Sequence, residues 1–225
     1  MNGDYANKKH VQKQVIYDKM REMIVSYHGA ECFKISQGDL TLALNPISKD
    51  SEFKPPRFGA DITLITANLP DFNGREQTSR GDKESFVITG PGEYEIKDVF
   101  IKGFLSEGPD KKINTIYLIS FEGMNLCFLG ALSNPVLPDE TLEAIEDVDI
   151  LFVPAGVSGT LDPVSGYKLA VSLEPSVIIP MYYTKQALEK FIKEGGDKVE
   201  SIDKFVVKKK DLEGKESEIV VLKEE

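Results

Sequence analysis

The chain has 225 residues, of which 41% are hydrophobic and 28% are charged, as is typical of a soluble globular protein with one substantial core. Its 27 Lys and Arg residues against 37 Asp and Glu residues give a net charge of −10, which argues against nucleic acid or an anionic membrane surface as the main partner. No apolar run approaches the ~18–20 residues of a membrane span. Because the first residues are polar and the cysteines number only two, we expect a cytoplasmic protein with reduced thiols.

The sequence contains only two histidines, His10 and His28. Histidine is the commonest metal ligand in proteins and the commonest general base near neutral pH. A histidine-rich metal site therefore cannot be built from this chain.

The first half of the chain predicts a leader followed by short strands. Residues 1–22 are polar, and their apolar side chains recur about every four positions, which is typical of an amphipathic helix. Residues 23–225 are expected to form one domain, in which Gln37-Gly38-Asp39 predicts a hairpin turn. The strands predicted here span residues 23–27, 32–36, 40–44, 61–66, 85–89, 94–96, 99–105, 113–121 and 125–129.

The second half alternates strands and helices. Asp162 and Thr184 are each expected to cap a helix, and Pro163 suits a first helical position. Two closing strands, 204–209 and 218–222, are predicted to pair with each other. The other predicted elements are helices at 138–145, after Asp162 and at 185–194, and strands at 149–153 and 176–180. Hairpins in the first half, followed by alternating strands and helices in the second, indicate an α/β protein with mixed sheets covered by helices.

Functional side chains in α/β proteins gather in the loops that follow the carboxyl ends of strands. Here the loops concerned are residues 45–46, 67–73, 131–134, 155–162 and 181–184. Several of them contain Pro or Gly, as shaped loops do.

Several segments resemble the metallo-β-lactamase-fold hydrolases, in particular a small bacterial and archaeal branch described as zinc-dependent hydrolases. The most specific segment is residues 86–100, FVITGPGEYEIKDVF, and residues 29–35, 129–132, 159–162 and 178–183 support it in order. The resemblance extends from Met23 to the C-terminus. It implies a four-layer αβ/βα sandwich, with two mixed β-sheets packed face to face and helices outside. It also implies metal-assisted hydrolysis with one or two zinc ions.

The family's metal ligands are nearly all replaced in this chain. The positions of its H-x-H-x-D-H motif and of two later ligands hold Ala67, Leu69, Asp71, Phe72, Ala131 and Tyr182. Ala30 stands where the family has a histidine after the first glycine, and Asn45 stands for the aspartate of its D-P pair. Since Ala, Leu and Phe offer no lone pair to a metal, the resemblance implies a degenerate member with no metal ligands, no catalytic residues and no cofactor.

The replaced positions allow more than one interpretation. Asp71 is either a turn or capping residue or a carboxylate with a catalytic role, the first being favoured. Leu69 and Phe72 are expected to fill the space of the lost imidazoles and metal. Tyr182 and Tyr183 either complete the core or stack on a ligand. Asn45, Tyr183 and Asp162 are the candidate rim of a pocket.

The leading hypothesis is a catalytically inactive protein, a pseudoenzyme, that acts as a binding or assembly module. One alternative is a hydrolase with a relocated metal or a metal-independent mechanism. Another is a structural subunit that pairs with itself or with an active relative. The expected partner is a second copy or another protein, whose identity is unknown from sequence, and neither nucleic acid nor a membrane is expected.

Overall fold

The computed structural model describes residues 22–81, 84–157, 159–196 and 198–225. The helix predicted in the leader therefore lies outside the described residues. Within them the strands are β1 (Met23–Tyr27), β2 (Phe33–Gln37), β3 (Leu40–Leu44), β4 (Ile62–Leu64), β5 (Phe86–Ile88), β6 (Gly92–Ile96), β7 (Val99–Glu107), β8 (Ile113–Phe121), β9 (Met124–Phe128), β10 (Ile150–Pro154), β11 (Val177–Met181), β12 (Phe205–Val207) and β13 (Glu218–Ile219).

These strands form two mixed sheets. The first sheet has the order β12-β1-β2-β3-β4-β5, in which β3, β4 and β5 are parallel and the other neighbours are antiparallel. The β2–β3 hairpin turns at Gly38, whose φ of 57° lies in the left-handed region that glycine adopts without cost. The second sheet has the order β13-β11-β10-β9-β8-β7-β6, antiparallel from β6 to β9 and parallel from β9 to β13.

One sequence prediction about the sheets is wrong. The closing strands β12 and β13 do not pair with each other: β12 pairs with β1 in the first sheet, and β13 pairs with β11 in the second. Alternating apolar residues indicate a strand but carry no information about which strand lies beside it.

The main core lies between the two sheets. Phe33 of the first sheet packs against Phe152 of the second, with ring centroids 4.8 Å apart, and Phe128 lies 5.8 Å from Phe152. All three rings are fully buried. The face-to-face sandwich that the sequence predicts is therefore present.

Three α-helices lie outside the second sheet in the described part of the chain: α1 (Asp139–Ala144), α2 (Pro163–Ser172) and α3 (Lys185–Gly195). The Asp162 carboxylate accepts hydrogen bonds from the N–H groups of Val164 and Ser165, and the Thr184 hydroxyl accepts one from Ala187. Both predicted caps are thus confirmed. Helix α3 ends in a left-handed Gly196, and none of the described helices is long and apolar enough to span a membrane.

Candidate functional site

Four strand ends meet at one edge of the sandwich. Asn45 follows β3, Ala67 follows β4, Ala131 follows β9 and Tyr182 follows β11. Their loops surround a buried group that we call the apolar site cluster, with half-buried Leu69 and Val157 packed against it. Its members are Ala30, Cys32, Ile47, Ala67, Phe72, Ala131 and Tyr182.

Asp71 and Tyr182 close the outer side of this cluster. The Tyr182 hydroxyl donates a hydrogen bond of 2.8 Å to Asp71 Oδ2, and the Ser51 hydroxyl donates one of 2.6 Å to Oδ1. Burial, and after it the bond to Asp71, raises the pKa of the Tyr182 phenol. The Tyr182 ring packs edge-on against Phe72, with centroids 5.3 Å apart. The fold brings these residues together from distant positions in the sequence. Each oxygen of the Asp71 carboxylate accepts a hydrogen bond from a hydroxyl group.

A buried polar network lies beside the cluster. The Asn45 amide donates to Glu31 Oε2 at 2.7 Å and to the Thr66 hydroxyl at 2.8 Å, while the Thr66 N–H donates to Asn45 Oδ1. Glu31 is completely buried, and its Oε1 has no hydrogen-bond partner among the described residues. Burial raises the pKa of this carboxyl to about 8, so Glu31 is largely protonated at neutral pH.

Two of the predicted rim residues have other positions. Asn45 is fully buried in the polar network, because its amide is needed to bond Glu31 and Thr66, and it is not part of a rim. Asp162 caps helix α2, so its carboxylate is engaged with backbone N–H groups. A hydrogen bond from the Ser165 side chain has the largest effect on the pKa of Asp162, and the backbone hydrogen bonds add to it. Together they lower the pKa of this carboxyl.

Tyr182 and Tyr183 line a cavity of about 360 Å³ next to the apolar site cluster. We call it the aromatic cavity, since Tyr27 and Phe53 also line it, together with Ala30 and Glu224. Phe72 and Leu69 pack in the apolar site cluster and do not line this cavity.

Sequence reasoning missed Glu31, Tyr27, Phe53 and Glu224 as residues of this region. For Glu31 a signal existed: an acidic residue directly before the buried stretch Cys32-Phe33 is unusual unless it has a partner. For Tyr27 and Glu224 no local signal exists, since they meet only through a bridge between β1 and the C-terminal segment.

The two cysteines are inert in this structure, as expected. Both are buried and unpaired. Burial raises the pKa of the Cys32 thiol to about 12 and also raises that of Cys127. A thiol in this state is neither a nucleophile nor a ready metal ligand near neutral pH.

The donor set of the site does not fit zinc. Protein zinc sites use three or four nitrogen, sulfur or oxygen donors together. At the positions that the resemblance assigns to the family's ligands, the only carboxylate is that of Asp71, which accepts hydrogen bonds from Ser51 and Tyr182. Within the ranges that the structure describes, no group of three or more His, Cys, Asp or Glu side chains is placed to hold a metal ion.

Comparison with known proteins places this geometry in context. A sequence model of the beta-lactamase superfamily domain matches residues 24–182, whereas no curated protein matches the chain. A candidate Zn-dependent hydrolase of the metallo-β-lactamase superfamily from Thermotoga maritima has a similar structure, with a TM-score of 0.72 and 26% identity. The match covers 89% of this chain and 98% of that one.

Two more distant structures share the fold alone. Igni18, a metallo hydrolase from Ignicoccus hospitalis, has a TM-score of 0.59 and 17% identity, over 83% of this chain and 99% of that one. An isothiocyanate hydrolase from Delia radicum gut bacteria has a TM-score of 0.59 and 10% identity, over 88% and 96% of the two chains.

Proposed function

We propose a non-catalytic binding function for this chain, which belongs to the beta-lactamase superfamily. The observation that carries the proposal is the apolar site cluster at the family's ligand positions. Superfamily hydrolysis depends on a metal-generated hydroxide, and a metal needs several protein donors. Ala67, Phe72 and Ala131 supply none.

The chemistry of Asp71 supports the same conclusion. A carboxylate that acts as a general base must lie within hydrogen-bond reach of the proton that it abstracts. Both Asp71 oxygens accept short hydrogen bonds, from Ser51 and from Tyr182. Tyr182 and Asp71 are therefore hydrogen-bonded to each other at two positions that correspond to metal ligands in the family.

The aromatic cavity supports binding in preference to a purely structural role. Its volume of about 360 Å³ lies within the range of small-molecule sites in proteins. One of its walls, Tyr182, comes from a position that the resemblance assigns to a family ligand, and another, Ala30, comes from the position of the family's histidine after the first glycine. A function in ligand binding thus uses the same edge of the sandwich as the family's chemistry.

The metal content of the protein tests this proposal. We expect tag-free protein purified without chelators to carry less than about a tenth of an equivalent of zinc by elemental mass spectrometry. A ligand that binds the native state raises the melting temperature. Since we expect no zinc to bind, added zinc should leave the melting temperature unchanged.

The Asp71→Asn variant is the matched control, since it removes the one carboxylate but keeps hydrogen-bonding atoms. Any trace of zinc is expected to be equal in the two proteins. Near-stoichiometric zinc with a melting shift of several degrees, lost in the Asp71→Asn variant, would overturn the proposal and favour a relocated metal site.

A further inference from the structure

Four aromatic side chains line the aromatic cavity: Tyr27, Phe53, Tyr182 and Tyr183. Tyr27 and Tyr183 have centroids 6.2 Å apart, and Phe53 and Tyr182 have centroids 6.0 Å apart. Tyr27 and Tyr182 are buried, while Phe53 is 37% exposed at the mouth. Apolar side chains of α3 and of the C-terminal segment, among them Leu188 and Val221, complete the lining.

The hydroxyl groups of these tyrosines are already used by the protein. The Tyr27 hydroxyl donates to the Ala30 carbonyl at 2.9 Å, that of Tyr182 donates to Asp71, and that of Tyr183 donates to the Leu222 carbonyl at 3.4 Å. Because their donors are taken, the rings present mainly their carbon surfaces to an occupant. An aromatic ring carries partial negative charge on its face, which attracts cations.

The charged groups of the cavity leave one carboxylate unmatched. Lys223 is paired with Asp203 at 2.9 Å. Glu224 has no ion pair in the described part of the chain, and its negative charge contributes to raising the pKa of both Tyr27 and Tyr183. Its carboxyl lies against Gly29, where a Cβ would come within 2.9 Å of it. The net charge of −10 adds to this attraction for cations.

We propose that the aromatic cavity binds a small organic cation, a protonated or quaternary amine on a single-ring or similarly sized apolar body. The ammonium group lies against Glu224 and the tyrosine faces, and the apolar body fills the space lined by Leu188 and Val221. A metal ion does not suit this site, since Glu224 is the one acidic side chain among the described residues that line it and a tight metal site needs several donors. The inference rests on the proposed binding function and names its ligand class.

Three probes of the same shape and different charge test it: 2-phenylethylammonium, neutral 2-phenylethanol and anionic phenylacetate. Binding to the full-length protein is followed by ¹H–¹⁵N NMR titration, which also locates the site. We expect 2-phenylethylammonium to bind at least about fivefold more tightly than the alcohol, with shifts at the amides of Ala30 and Leu222, and phenylacetate to bind least.

Matched variants separate charge from shape. Glu224→Gln is expected to lower the affinity for 2-phenylethylammonium about fivefold and to leave that for 2-phenylethanol unchanged. The control Glu216→Gln removes the same charge from an exposed residue outside the cavity, and we expect no effect. Tyr183→Leu is expected to weaken binding of the cation more than Tyr183→Phe, which keeps the ring.

Equal binding of the amine and the alcohol, or an affinity that does not respond to Glu224→Gln in a folded protein, would overturn the inference. The absence of binding by all three probes would do so too. These failures differ from failure of the proposed function, which the zinc content of the protein reports independently of any organic probe.

Discussion

At the scale of single residues, Glu31 has the most unusual environment. Its carboxyl is completely buried, bonded through one oxygen to Asn45, and without a partner among the described residues at the other. Burial raises its pKa from 4.5 to about 8. The folded protein therefore holds a proton that the unfolded chain releases, because the charged form cannot be solvated in the interior.

Replacement of Glu31 by Gln is expected to change how stability depends on pH. Between pH 4.5 and about 8 the folded state binds one more proton than the unfolded state, so the free energy of unfolding falls as the pH rises. The slope from this group is at most about 1.4 kcal/mol per pH unit, and it disappears above the folded-state pKa. Urea unfolding of both proteins across this range measures it.

In Glu31→Gln the amide cannot ionise, so we expect a flatter profile and higher relative stability at pH 8. The exposed Glu213→Gln variant is the control and should keep the slope of the unchanged protein. Parallel profiles for Glu31→Gln and the original chain would show that Glu31 is ionised in the fold.

At the scale of elements, the sequence predicted the structure best at residues whose type has one dominant structural role. Asp162 before Pro163 is a helix start in sequence and in structure, and helix α2 begins at Pro163. Strand positions also followed from apolar patterning, with ends displaced by at most three residues. Pairing was not recoverable in this way, as β12 and β13 show, because a strand's neighbours depend on the path of the whole chain.

The capping function of Asp162 predicts a specific pattern of substitutions. Asp162→Ala is expected to lower the free energy of unfolding by about 1 kcal/mol, and Asp162→Asn by less, since an amide oxygen also caps a helix. The pKa of Asp162 is lowered in the fold. Its ionised form therefore adds stability above the unfolded pKa of 3.8, and this contribution is lost as the pH falls through the folded value.

Urea unfolding at neutral and acidic pH checks both points. The Asp162→Asn variant should lack the acid-dependent part that the original chain shows. Unchanged binding of 2-phenylethylammonium in Asp162→Ala is also expected, because Asp162 does not line the aromatic cavity. Loss of that binding in a stable variant would instead give Asp162 a direct role at the cavity.

At the scale of the whole molecule, the core between the two sheets holds the site loops in place. Phe152 is fully buried between Phe33 and Phe128, and both sheets contribute to this contact. The loops after β3, β4, β9 and β11 can meet only if the sheets keep this relation. The geometry of the site is thus a consequence of packing some distance away from it.

Phe152→Ala is expected to destabilise the protein by about 3–5 kcal/mol, from lost burial and from the cavity that remains. Phe100→Ala removes the same ring from a side chain that is 55% exposed, and we expect a change within about 0.5 kcal/mol. Urea midpoints compare the two. Similar midpoints would contradict the assignment of Phe152 to the main core.

The sequence by itself determined most element positions, and through its resemblance to the metallo-β-lactamase-fold hydrolases it also determined the family and the two-sheet architecture. The element positions follow from residue type and local spacing, which tertiary contacts cannot alter. Only the tertiary structure decided that Tyr182 bonds Asp71 across 111 positions, that Glu31 is buried, and that Glu224 meets three tyrosines at one cavity. Burial and partnership arise where distant segments pack together, so a local pattern such as that around Glu31 can indicate a buried group but does not specify its partner.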